Sequence, residues 1–166
     1  GNGEISYVST NGLVDGGKHN FNNYTIVPNF YVGGIIGTNN GAININYSFN
    51  NGTVKGVGTL NTNYNANTNT AKTFTGGIIG EVNNITESSN SLVYLTNNGL
   101  IDANDFQGKN NNLIAHQYVG GIFGSVKGYG FKLNEGSSVK NGRFENTGNV
   151  KGSYINTHTK LFAAGI

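Results

Sequence analysis

The chain has 166 residues, a net charge of +2 and only 11% charged residues, enough length for one domain with a core and no basic patch or acidic tail to recommend nucleic acid or a membrane surface as partner. No apolar run approaches the length of a membrane span, so this segment is not expected to insert into a bilayer. Cysteine is absent, which excludes disulfide and thiolate–metal frameworks without fixing the compartment. The chain is 36% hydrophobic, with nine Tyr, nine Phe, 27 Gly and 31 Asn, a mixture that favours an ordered β protein with many tight turns.

The elements recur in a fixed order. A strand with period-two alternation, Ile5-Ser6-Tyr7, is predicted first, with both apolar side chains on one face. The turn signal Asn11-Gly12 follows, then a short strand with Val14 inward and Asp15 outward. An unpatterned excursion over 17–29 leads to Tyr31-Val32-Gly33-Gly34-Ile35-Ile36-Gly37. The second pass reads Ile45-Asn46-Tyr47, Asn51-Gly52, Val54-Lys55, an excursion over 57–73, and Phe74-Thr75-Gly76-Gly77-Ile78-Ile79-Gly80. The third reads Leu92-Val93-Tyr94, Asn98-Gly99, Ile101-Asp102, an excursion over 104–117, and Tyr118-Val119-Gly120-Gly121-Ile122-Phe123-Gly124. In the fourth, Asn141 and Arg143 stand in the apolar slots, so Val139 and Phe144 are expected to fill them. Thr147-Gly148, Val150-Lys151, an excursion over 153–161 and a worn Phe162-Ala163-Ala164-Gly165-Ile166 complete it.

The first glycines of the pairs are Gly33, Gly76 and Gly120, with Ala164 in the fourth slot, at steps of 43, 44 and 44 residues. A regular step of this size marks stacked repeats, in which each unit mainly covers its neighbour. The expected fold is all-β: a parallel β-helix of about four turns, each of three short strands with an Asn/Thr-rich excursion. The approximate units are 1–29, 30–73, 74–117 and 118–161, with a further one beginning at 162–166. Equivalent residues would lie about 4.8 Å apart, which makes ladders. Tyr31, Phe74, Tyr118 and Phe162 form an aromatic one, Ile35, Ile78, Ile122 and Ile166 an aliphatic one, and Tyr7, Tyr47 and Tyr94 another. Asp15, Lys55, Asp102 and Lys151 form a charged ladder of alternating sign, read as a register device because exposed pairs contribute only about 0–1 kcal/mol. The first aromatic ladder is expected inward as core; outward, it would be a stacking platform for sugars. Both faces of its strand are apolar, so a folded-over excursion or a partner chain is needed as cover.

Val32-Gly33-Gly34-Ile35-Ile36-Gly37, with Asn39-Asn40-Gly41-Ala42-Ile43, Tyr47 and Gly52-Thr53-Val54-Lys55-Gly56, resembles the GLUG repeat of exported bacterial surface proteins. Isoleucine replaces the usual leucine, and the Cys-Tyr often found before the turn is missing. The resemblance covers nearly the whole chain. It implies an extracellular or cell-surface location, a structural and adhesive role, and a host-surface glycan or protein as partner. It brings no catalytic residue.

Other chemistry is thin. Asp15 and Asp102 would stand roughly 9–10 Å apart with Lys55 between them, at or beyond the wide end of inverting-glycosidase spacing; they are read as part of the charge ladder rather than as a catalytic pair. His19, His116 and His158 fall in excursions and are read as loop residues, not metal ligands. Gly33-Gly34 lacks the helix and acidic partner of a dinucleotide loop, so no cofactor is expected. Asn-x-Ser/Thr sequons begin at Asn23, Asn46, Asn51 and Asn84, as chance allows in so Asn-rich a chain. Thr10, Thr53, Thr75 and Thr96 share no single phase, against an ice-binding face. The abrupt start and the end inside a repeat read as a segment of something longer. The function expected is a rigid stalk presenting binding loops; a self-associating fibre subunit, by end-to-end contact between copies, and a carbohydrate-active β-helix are the alternatives.

Overall fold

Among the described residues, strand from one repeat lies beside its equivalent from the next. The computed structural model describes residues 3–20, 29–39, 41, 43–60, 70–83, 91–104, 114–127, 144–153 and 160–166. These residues are all-β, with parallel pairing in every sheet. Among them no helix is long and apolar enough to cross a membrane.

Four sheets carry the repeat. A tyrosine sheet contains Gly3–Ser6, Ile43–Asn50, Ser91–Asn97 and Phe144–Asn146, with Ser9–Thr10 also on Ile43–Asn50. A charge sheet contains Val14–Asp15, Val54–Lys55, Ile101–Asp102 and Val150–Lys151. A ring sheet contains Asn29–Gly33, Thr70–Gly76, Ile114–Gly120 and Lys160–Ala164. A glycine sheet contains Ile36–Thr38, Ile79–Val82 and Phe123–Val126. Lys18–Asn20 pairs with Gly58–Leu60 beside them.

Among the described residues the repeat therefore runs through four main sheets rather than through three strands per unit. The Gly-Gly phrase is not one strand with two apolar faces but two strands with a sharp bend between them. Glycine makes the bend possible: a Cβ on Gly34 would lie 2.2 Å from the carbonyl oxygen of Gly77, and one on Gly77 2.0 Å from that of Gly121. The bends also bond to each other, through Ile35 N to Ile78 O at 3.0 Å and Ile78 N to Ile122 O at 3.0 Å. The cover needed for the second apolar face is thus the chain's own next strand.

The strands also reach into the expected excursions. Thr70–Thr73 and Ile114–Gln117 belong to the ring sheet, and Lys18–Asn20 and Gly58–Leu60 pair with each other. Residues 61–69 and 105–113 lie outside the described residues, as do Val139, Asn141, Arg143 and His158.

Two apolar cores result. Val54, Ile101, Val32, Val119 and Ala71 pack between the charge and ring sheets, with Val14, Phe30 and Val150 beside them. Ile43, Ile45, Leu95, Ile78, Ile79, Ile122 and Phe123 pack between the tyrosine and glycine sheets. Phe144 joins the second core and meets Phe123 edge-on at 5.5 Å, filling the worn fourth unit. At about 25 cal/mol per Å² of apolar surface removed from water, these two clusters are the main source of stability.

Candidate functional site

The tyrosine sheet holds the clearest departure from ordinary strand geometry. Tyr7, Tyr47 and Tyr94 have φ of 57°, 48° and 54°, the left-handed region that bulky side chains rarely enter. One left-handed residue shifts the alternation by one place, so everything beyond it changes face. Ile45 is inward before Tyr47, and Ser48 and Asn50 are inward after it. Simple alternation would have put Tyr47 and Phe49 inside; both are exposed instead. The expectation that Ile5 and Tyr7 share a face is corrected for the same reason: Ile5 packs on the second core, while Tyr7 is 77% exposed.

The outward tyrosines stack. Tyr7 and Tyr47 have ring centroids 5.1 Å apart and planes 3° from parallel; Tyr47 and Tyr94 are 4.7 Å apart at 14°. Their faces are turned to each other, so along the column solvent meets ring edges rather than ring faces. That arrangement suits hydrogen bonding along a row of phenols better than the face-on stacking of sugars.

The second aromatic column, Tyr31, Phe74, Tyr118 and Phe162, stacks at 5.1, 4.8 and 4.8 Å. It follows the parallel register Tyr31, Phe74, Tyr118, Phe162 across the ring sheet. Phe74 is 1% exposed, yet it belongs to neither apolar core. Val32, Thr75 and Val119, one place along, turn into the first core instead. Lys127, just past the glycine-sheet strand, stands over the Phe74 ring at 5.1 Å, a cation–π contact. The column is therefore core at Phe74, half-buried at Tyr31 and Tyr118, and open at Phe162, which is 49% exposed.

Lys127 also pairs with the Glu81 carboxylate, whose side chain is fully buried. Asn83 donates to Glu81 Oε1 at 3.0 Å and to Thr38 Oγ1 at 3.1 Å, while Asn39 accepts the Asn83 N–H at 2.9 Å. Nothing in the repeat pattern marks Glu81, because its row neighbours are Thr38 and Ser125.

The charged residues occupy one row, Asp15, Lys55, Asp102, Lys151. Lys151 Nζ lies 3.1 Å from Asp102 Oδ2. Asp15 Oδ1 and Asp102 Oδ1 each accept the backbone N–H two residues on, from Gly17 at 2.8 Å and Asn104 at 2.9 Å. In the aliphatic row Ile78 and Ile122 are fully buried, Ile35 packs against the second core, and Ile166 is exposed.

Two asparagine rows flank the turn, where the repeat pattern points only to the glycine. The inner row is buried at Asn50 and Asn97 and half-buried at its ends: Thr10 Oγ1 donates to Asn50 Oδ1 at 2.8 Å, Asn50 Nδ2 to Asn97 Oδ1 at 2.6 Å, and Asn97 Nδ2 to Asn146 Oδ1 at 2.7 Å. Each asparagine also closes its own turn, by donating to the carbonyl of Gly52, Gly99 or Gly148. The outer row is exposed and runs the other way: Asn51 donates to Asn11 at 3.0 Å, Asn98 to Asn51 at 2.8 Å, and Thr147 to Asn98 at 2.7 Å. The signal for both rows lies in the doublets Thr10-Asn11, Asn50-Asn51, Asn97-Asn98 and Asn146-Thr147, each just before the turn glycine.

His116 lies on a ring-sheet strand, not in an excursion, between Lys72 and Lys160 in register. Desolvation, then Lys160 and Lys72, lower its pKa from the ordinary value of 6.5. His19 lies near Phe30, at 5.1 Å between rings. Among the described residues no group of three or more His, Cys, Asp and Glu side chains is placed to hold a metal.

Comparison with protein-family models, with curated proteins and with solved structures finds no match to this chain.

Proposed function

We propose that the parallel sheets are the faces of one β-solenoid, and that the block is a non-catalytic, structural and adhesive repeat segment of a bacterial surface or secreted protein. The observation that carries the solenoid is the shared register: equivalent residues of successive repeats are Cα partners in the tyrosine, charge, ring and glycine sheets alike. A chain advancing by one strand spacing per repeat satisfies all four at once. Stacked in this way, each repeat covers its neighbour, and the side chains along a row act as spacers rather than as a site for chemistry. The GLUG resemblance of the Gly-Gly phrase supports the surface role, with a host glycan or protein held by the Asn/Thr-rich excursions.

The test is an array of glycans and host-surface proteins probed with residues 1–166, beside a variant whose 61–69 segment is replaced by a short Gly-Ser linker. Binding that is lost in the variant at unchanged melting temperature is expected. No binding by the parent chain would sink the adhesive part of the proposal.

A further inference from the structure

An amine and an amide meet on one buried acid in the glycine sheet. The register pairs Glu81 with Ser125 and Val82 with Val126. Lys127 N donates to Val82 O at 2.7 Å, so Lys127 and Asn83 stand side by side one place further along. Glu81 Oε1 accepts from Asn83 Nδ2 at 3.0 Å, and Glu81 Oε2 contacts Lys127 Nζ. The Glu81 side chain is fully buried, and among the described residues Oε2 has no other partner. A buried carboxylate is costly unless a charge pairs it, and Lys127 supplies that charge.

Both reacting groups are held in place. Asn83 Nδ2 also donates to Thr38 Oγ1 at 3.1 Å. Asn39 clasps the Asn83 backbone: its Oδ1 accepts the Asn83 N–H at 2.9 Å, and its Nδ2 donates to Asn83 O at 3.0 Å. Lys127 Nζ lies over the buried Phe74 ring, 5.1 Å from its centre. Folding has therefore already brought a nucleophile and an acyl carbon together, which is the largest obstacle to joining them.

We infer that Lys127 and Asn83 join in an intramolecular amide bond, made by the folded chain itself with Glu81 as proton relay. The ammonium of Lys127 first passes a proton to Glu81 Oε2, which leaves a neutral amine and a carboxylic acid. The Nζ lone pair then adds to Asn83 Cγ, and the carbonyl electron pair moves onto Oδ1. As that carbonyl re-forms, the Cγ–Nδ2 bond breaks and its electron pair leaves with nitrogen. In all, Nζ gives up two protons and Nδ2 gains two, so nitrogen departs as ammonium and Glu81 ends as it began, a carboxylate. The balance closes without an oxidant, a reductant or a further reactant. The bond ties the second repeat to the third, so the two cannot part when the chain is pulled or denatured. It is one self-modification without turnover, and it depends on the glycine-sheet register, not on the adhesive reading.

The experiment is peptide mapping by tandem mass spectrometry on denatured residues 1–166, with intact mass and circular dichroism on the same sample. The parent chain should be lighter than its sequence by one ammonia. Trypsin should leave Lys127 uncleaved, in a branched peptide joined to the Asn83 segment. Lys127→Arg keeps a cation over Phe74 but has no attacking amine. It should fold, carry its full mass and lack the branched peptide, and it should run behind the looped parent on a denaturing gel. Glu81→Gln should form the link about a hundredfold more slowly, as loss of a proton relay requires. A folded parent of full mass, with separate Asn83 and Lys127 peptides, would overturn the inference and leave an ion pair beside an amide. Loss of ammonia with Lys127 still cleaved would overturn it as well, because that marks a succinimide at an asparagine. A folded Glu81→Gln chain linked as fast as the parent would remove Glu81 from the step.

Discussion

The two aromatic columns have nearly the same ring spacing and opposite circumstances. Tyr31, Phe74, Tyr118 and Phe162 sit on ordinary extended strands, and the column is covered in the middle by Lys127. Tyr7, Tyr47 and Tyr94 sit on left-handed backbone; Tyr7 and Tyr47 are exposed and Tyr94 is half-buried. Stacking alone therefore does not say where a ring lies. The backbone decides, and a column can be held against conformational cost when three repeats adopt the same strained residue in one phase. A left-handed L-residue costs roughly 1–2 kcal/mol, while an aromatic pair returns about 0.5–1.5 kcal/mol beyond area burial. The outer column thus stands near balance, and the covered column is net stabilising.

That contrast can be broken most forcefully at Phe74. Phe74→Ala should destabilise the fold by about 3–5 kcal/mol, since it removes a ring with almost no exposed surface and two stacking partners. Tyr47→Ala should cost less, about 1–2 kcal/mol. Equal losses in chemical denaturation would erase the distinction between the columns.

The backbone half of the contrast is tested by Tyr47→Gly. Glycine within a strand is normally worse than alanine. At a φ of 48° the order should invert, with the glycine variant more stable than the alanine variant by about 1 kcal/mol. A less stable glycine variant would mean that Tyr47 is not held left-handed.

Lys55→Glu places three acids in successive positions of the charge row. The expected loss is modest, about 0.5–1 kcal/mol, and should shrink in high salt. A melting temperature unchanged at low salt would argue that these side chains do not meet.

The smallest effect is expected at His116, on the ring sheet. Its folded pKa is lowered by burial and by Lys160 and Lys72, so the unfolded chain binds the proton more readily. Stability should therefore rise with pH between the lowered folded value and the ordinary 6.5, and fall as the solution is acidified through that window. His116→Gln should flatten the dependence; urea titrations at a series of pH values would show it.

Much of the fold is legible in the sequence because the repeat is carried by residues whose places, inside the stack, leave room for little else. Gly33, Gly76 and Gly120 recur because a Cβ would meet backbone; their spacing aligns Phe74 with Tyr118, and the turn phrases Asn11-Gly12 and Asn51-Gly52 align Asp15 with Lys55. The number of strands is not legible, because an unbroken apolar run such as Tyr31 to Ile36 looks like one strand; only the close approach of neighbouring glycines shows the bend. The face of Tyr47 is hidden because a left-handed tyrosine leaves no mark in composition. The buried asparagine row escapes notice for a different reason: asparagine is so common here that a structural doublet before the turn resembles its surroundings. Glu81 has no periodic partner, and Lys127 reaches it only through the fold.

The central claim is that equivalent residues of successive repeats are neighbours in register. The chain has no cysteine, so introduced pairs can be read cleanly by oxidative cross-linking, which demands Cα atoms within about 7 Å. Lys55→Cys with Asp102→Cys, Cα partners in the charge sheet, should close a disulfide rapidly within one chain. Lys55→Cys with Leu100→Cys, two positions out of register, should close far more slowly. Equal rates, or no cross-link in the in-register pair of a folded protein, would contradict the stacking on which everything else depends.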